Sequence, residues 1–338
     1  MSLPPSVLDI ARPYANRQTA LAQEALAVLG PATRAGASNP TRWRNAIADA
    51  AENLLVLQVA TTEDADRYVT AVLEEQGATV LAGPEVNTEG FADITEGGGS
   101  WLKNLIYAPI SVAKAARTLG SDEARRNADL VAMSIVLTGM QDTGRAAAAA
   151  AMTSRGANRY VRMLNGKSCA RCAVLAGRVY KIGAFRRHPR CDCRNIPAAE
   201  DVAGDWTTDP KVYFRSLSTK DQDRIFTSGG AQAIRDGANI SQVVNARQGI
   251  EVATAFGQEV KATTVGTTRR ATFGGYEILD DGTFRKRADS EMRRRPGKRN
   301  FFAKAPRLLP DEIYSLAEQF GWDRTEILRQ LRRFGYLL

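Results

Sequence analysis

All four cysteines of the chain and its single histidine lie between residues 168 and 197, in the run SCARCAVLAGRVYKIGAFRRHPRCDCRNIP. Cys169 and Cys172 form a C-x2-C pair. After fifteen intervening residues His188 opens H-x2-C-x-C, which contains Cys191 and Cys193. Two short ligand pairs separated by a hairpin-length insert are the sequence form of a structural zinc site. Such a site constrains the fold, because zinc draws its ligands into one tetrahedron. Residues three apart in a tight turn present two sulfurs to one ion, and His188 with Cys191 repeats that spacing. Pro189 stiffens the second turn, since its φ is fixed. Five candidates compete for four places. The reading takes Cys169, Cys172, His188 and one of Cys191 or Cys193, and leaves the fifth beside the site. Arg171, Arg187, Arg190 and Arg194 adjoin the cysteines and favour thiolates electrostatically.

Disulfides and nucleophilic catalysis are the other uses of cysteine. Residues Met1–Tyr14 carry neither a basic n-region nor an apolar h-region, so no secretory leader is expected. Thiols in a reducing cytoplasm stay reduced. One activated thiol beside a base is the pattern of a cysteine nucleophile, and four clustered cysteines do not match it.

The 338 residues are enough for two or three domains, and at 44% hydrophobic they can bury a core. Alanine is plentiful and aromatics are sparse, which predicts a mainly α chain with a small β-hairpin zinc knuckle, an α+β architecture. No apolar run reaches the length of a membrane-spanning helix, and no membrane partner is expected. The net charge of +9 is uneven. Residues 1–150 hold 12 basic and 17 acidic groups, and residues 151–260 hold 17 and 10. An acidic front and a basic back imply different neighbours for the two ends, and nucleic acid is the usual partner of a basic surface.

The pattern divides into a helical region over 1–150, a core over 151–260 holding the knuckle (168–197) and short helices, a basic extended arm over 261–308, and a helical hairpin over 309–338. Helices are predicted from Tyr14 to Leu29, ended by Gly30-Pro31, and from Pro40 to Ala60, where Trp43, Ile47, Ala50, Leu54 and Leu57 form one stripe. A third runs from Thr62 to Gln76. Later helices cover Trp101–Leu119, interrupted near Pro109, then Asp122–Met140, and the alanine run Ala146–Ala151 belongs to another. Tyr160–Leu164 reads as a strand leading into an Asn165-Gly166 turn, and Leu175 with Val179-Tyr180 reads as a second small hairpin. Zinc is expected to fasten this knuckle, which is too small to hold itself by burial. Short helices follow from Val212 to Arg247, and Glu251–Thr264 pairs as strands. In the arm, Arg285, Lys286, Arg287, Arg293, Arg294, Arg295, Lys298 and Arg299 are the candidate contacts to phosphates, non-specific in character. Pro310–Phe320 and Asp323–Phe334 close the chain, Asp323 and Glu326 having the spacing of a capping arrangement.

Several runs together resemble the Mu F-like minor head, or head morphogenesis, proteins of tailed bacteriophages, in the forms found in phages of actinobacteria. They are RYVR with SCARCAVLAGRVY and FRRHPRCDCRNIP, then Asp221–Phe226 (DQDRIF), Val243–Gly249 (VVNARQG) and TTVGTTRR from Thr263 to Arg270. The closing LLPDEIY and LRRFGYL are similar as well. The resemblance covers residues 100–338, and the first third matches only as a helical lead-in. It implies a minor capsid protein packaged inside the procapsid near the portal, assisting head assembly or DNA delivery. The implied partners are the portal and the major capsid or scaffolding protein, with packaged DNA against the basic arm. The implied location is the virion interior, and the host cytoplasm during assembly. Relatives are sometimes capsid maturation proteases, which is the alternative reading. A non-specific DNA-binding virion protein is the second alternative. No enzyme is expected: the only histidine sits where a ligand belongs, and H-E-x-x-H is absent.

Overall fold

The computed structural model describes residues 3–36, 39–95, 97–115, 121–164, 168–183, 191, 193–199, 206–263, 276–278, 284–286 and 307–337. The described chain is mainly helical with two small three-stranded antiparallel sheets, an α+β arrangement. It divides into two compact units, one of residues 1–168 with 176–208 and one of residues 169–175 with 209–338.

The first unit holds α1 (Pro5–Gly36), α2 (Pro40–Ala60), α3 (Ala65–Glu75), α4 (Trp101–Ala115) and α5 (Ser121–Ser154), and a sheet of β1 (Arg159–Met163), β2 (Val179–Lys181) and β3 (Arg194–Ala198). The strand order is β2-β1-β3, with Tyr160 opposite both Tyr180 and Pro197. Helix α2 keeps the predicted bounds. Its five-residue stripe is buried, and the Asn39 side chain accepts from the N–H groups of Thr41 and Arg42 at its start. One core gathers α1, α2, α4 and α5 around Trp43, Ile47, Leu54, Trp101 and Leu105. A second gathers the start of α1, α3, the alanine run of α5 and the sheet.

Helix α1 departs from the expected bounds: it begins before Pro13 and continues past Gly30-Pro31. Both prolines are exposed, so each missing backbone bond falls on the solvent side. Val7, Ala11 and Ala15 are buried and hold the first turns to the core. Helix α5 is one element across Gln141-Asp142, where two were expected. Residues Ala170–Leu175 are helical, so Leu175 takes no part in a hairpin; Val179–Lys181 pairs with β1 instead. All five residues of β3 are buried.

The second unit contains α6 (Ala170–Leu175), α7 (Pro210–Ser216), α8 (Thr219–Phe226), α9 (Ser228–Arg235), α10 (Ile240–Asn245), α11 (Pro310–Phe320) and α12 (Arg324–Arg333). Its sheet has the order β4-β5-β8, from β4 (Ile250–Ala255), β5 (Gln258–Thr263) and β8 (Arg307–Leu308), and β6 (Tyr276–Ile278) pairs with β7 (Phe284–Lys286). The short helices are capped as their sequences require. The side chains of Ser218, Asn239 and Asp323 accept backbone N–H groups at the starts of α8, α10 and α12. Asp311, in the first turn of α11, accepts from Thr227 Oγ1 at 2.6 Å and from the N–H of Gly229 at 2.9 Å, which ties α11 to the start of α9. Val243, Val260, Leu308, Ile313, Leu331 and Tyr336 form the core. Phe256 takes φ 54 in the β4–β5 turn, and its ring meets Trp322 edge-on at 5.3 Å.

Candidate metal centre

Cys191 and Cys193 stand just ahead of β3. Their sulfurs lie 2.9 Å apart. That separation exceeds an S–S bond of ~2.05 Å, and all four cysteines are free. Cys172 lies on α6. The Sγ atoms of Cys172, Cys191 and Cys193 fall within 4.8 Å of one another, and all three residues are buried. Three buried cysteines are thus close enough to hold one metal ion. Among the described residues no other trio of histidine, cysteine or carboxylate side chains is gathered in this way.

Cys169 is half-buried and stands outside this trio; its Sγ accepts from the N–H of Cys172 at 3.4 Å. His188 lies outside the described residues, as do Arg187 and Arg190 of the flanking arginines. Both cysteines of C-x-C belong to the trio, where the sequence reading chose between them.

Two arginines that sequence reasoning did not single out shape the site. Arg145 on α5 is buried, and its Nη1 donates to the carbonyl oxygens of Cys191 at 3.0 Å and Cys193 at 3.1 Å. Its Nη2 is bonded to Asp142 at 2.5 Å. One guanidinium thus clasps the backbone on both sides of residue 192. Arg162 on β1 is fully buried; its Nη1 lies 3.6 Å from Cys193 Sγ, and its guanidinium sits 4.9 Å above the Tyr180 ring. A positive charge so placed favours a thiolate. The available signals were slight: Arg145 is the one charge beside the six-alanine run, and Arg162 is a charge among the apolar residues of a strand.

The wall behind the site is aromatic. Tyr14 and Tyr68 stack at 4.0 Å, and Tyr68 donates to the Asn195 carbonyl at 2.7 Å. Burial raises the pKa of Tyr68 well above its ordinary value. Tyr160 stacks on Tyr180 at 5.4 Å, and burial raises it too, against the lowering effect of Arg162.

Comparison with family models, curated proteins and solved structures gives no match.

The donor set is soft and enclosed. Thiolate sulfurs suit zinc, cuprous copper and iron–sulfur clusters, and water has little access to sulfurs on residues at 0–1% exposure. Of the predicted nucleic-acid contacts, Arg285 and Lys286 fall in β7. Arg287, Arg293, Arg294, Arg295, Lys298 and Arg299 lie outside the described residues.

Proposed function

We propose that the chain is a minor head protein of a tailed bacteriophage, with a structural zinc site in its knuckle. The observation that carries the metal reading is the burial of Cys172, Cys191 and Cys193. A catalytic zinc keeps a position open to water, whereas a structural one is closed by protein ligands. These three cysteines would supply three ligands, with His188 or Cys169 as the fourth. The nearby guanidinium of Arg162 offsets the negative charge that several thiolates place on a zinc site. Zinc here joins segments and supplies no chemistry.

The head-protein assignment is supported by the runs that resemble Mu F-like proteins, which reach beyond the cysteines to both ends of residues 221–337. In this reading the chain enters the procapsid, touches the portal or the capsid or scaffolding protein, and meets packaged DNA through its basic arm. Two measurements test it. Elemental analysis of protein purified without chelators is expected to give one zinc per chain, lost in Cys191→Ser and Cys193→Ser. Mass spectrometry of purified phage heads is expected to find the chain inside. Metal-free protein sinks the zinc site, and heads lacking the chain sink the assignment.

A further inference from the structure

Strand β4 is the outer strand of its sheet, and among the described residues nothing pairs with its far edge. The hairpin register fixes which backbone groups face that edge. Ala255 pairs with Gln258 across the two-residue turn Phe256-Gly257, whose φ values of 54 and 72 are both positive. A hairpin of this kind closes on a hydrogen-bonded pair. Bonded pairs alternate with non-bonded ones, so they recur at Ala253–Val260 and Glu251–Ala262. The N–H and C=O groups of Ile250, Val252 and Thr254 therefore point outward. Their side chains share the open face, with Ile250 48% and Val252 70% exposed. Native edge strands are blunted by proline, lysine, bulges or shortness. Strand β4 has six residues, no proline, no lysine and an unbroken register, and Glu251 is its only charge.

We propose that β4 pairs antiparallel with β4 of a second copy about a twofold axis at Val252, joining two sheets into one. Outward-pointing residues have to meet outward-pointing residues. With Val252 against its own counterpart, Ile250 meets Thr254 on both sides of the axis, and the pairing forms about six backbone hydrogen bonds. The facing side chains are all β-branched, a favourable cross-strand combination, and Glu251 faces Ala253. Moving the axis to Glu251 sets two glutamates opposite each other, which is unfavourable. Moving it to Ala253 leaves Ile250 opposite the turn. The strand is thus self-complementary in one register, and this selects a second copy over an unrelated segment. On the open face Lys261 lies beside Val252, so the two lysines of the dimer stand three strand spacings apart, about 14 Å. The pairing does not depend on the function proposed above.

Analytical ultracentrifugation and hydrogen exchange on the full chain test it. The expected result is a monomer–dimer equilibrium in which the amides of Ile250, Val252 and Thr254 slow as concentration rises. Thr254→Pro removes an outward N–H and no hairpin bond, and Val252→Lys places two like charges on the axis. Each is expected to weaken dimerisation about tenfold or more while circular dichroism stays unchanged. A chain that remains monomeric at its highest soluble concentration overturns the proposal. So does a dimer that both variants retain, or one whose β4 amides exchange freely.

Discussion

Arg162 places its Nη1 3.6 Å from the sulfur of Cys193, and neither residue has measurable solvent exposure. In the proposed metal site, a fixed cation beside a ligand sulfur would act on the metal through that ligand. Removing such an outer partner commonly costs about 10–100-fold in metal affinity. Arg162→Met is expected to lose affinity within that range, read by competition with a chromophoric chelator, and Arg162→Lys to lose less. Unchanged affinity in Arg162→Met would show that this guanidinium does not act on the metal.

Arg145 serves the same loop through its backbone. Arg145→Met removes one donor from two buried carbonyl groups and from Asp142. Breaking a buried pair in this way costs about 3–5 kcal/mol. Urea unfolding is expected to show a loss in this range, with a smaller one for Asp142→Asn, which leaves both bonds to the cysteine carbonyls in place.

Alkaline pH should unfold the chain cooperatively. Burial raises the hydroxyls of Tyr14, Tyr68 and Tyr160. It pushes Tyr336 up to about 12, with neighbouring Arg307 opposing the rise. A raised pKa means that the folded state holds the proton more tightly. The corresponding stability is whole below the unfolded value of 10 and is lost as pH rises through the folded one. Each such tyrosine removes roughly 1.4 kcal/mol per pH unit over its window. Tyrosinate absorbance is expected to appear for these residues together with the loss of helical circular dichroism. Their titration in a still-folded protein would contradict their burial.

Gly139 on α5 makes room for Trp101. A Cβ there would run into Trp101 Nε1, and that nitrogen donates to the Ile135 carbonyl at 3.1 Å. Gly139→Ala is expected to lower stability by about 1–3 kcal/mol, the cost of overpacking, although alanine is the better helix former. A stabilised variant, measured by thermal melting, would rule out this close approach.

Local rules read much of this chain correctly. The spacing of Trp43 to Leu57 gave α2 its buried face, and Asp323 marked the start of the last helix, because periodicity and capping depend on neighbouring residues alone. The rules failed where tertiary packing overrides a local signal. Pro13 and Pro31 ordinarily end helices, yet buried residues on the opposite side of α1 carry it through both. Gln141-Asp142 gave no sign that α5 continues, since Asp142 is held by Arg145. In the candidate metal site the residue types were visible at once. That both sulfurs of C-x-C join Cys172 was not, because it depends on contacts distant in sequence, such as those of Arg145 to the carbonyls of Cys191 and Cys193, 46 and 48 positions away.

Residues 169–175 belong to one compact unit, and the residues on either side of them belong to the other. During synthesis a piece of the second unit therefore leaves the ribosome before the first has received β2 and β3. No single cut in the chain parts the two, and a fragment ending at Ser168 lacks two strands of its own sheet. Recombination at one point cannot transplant either unit whole.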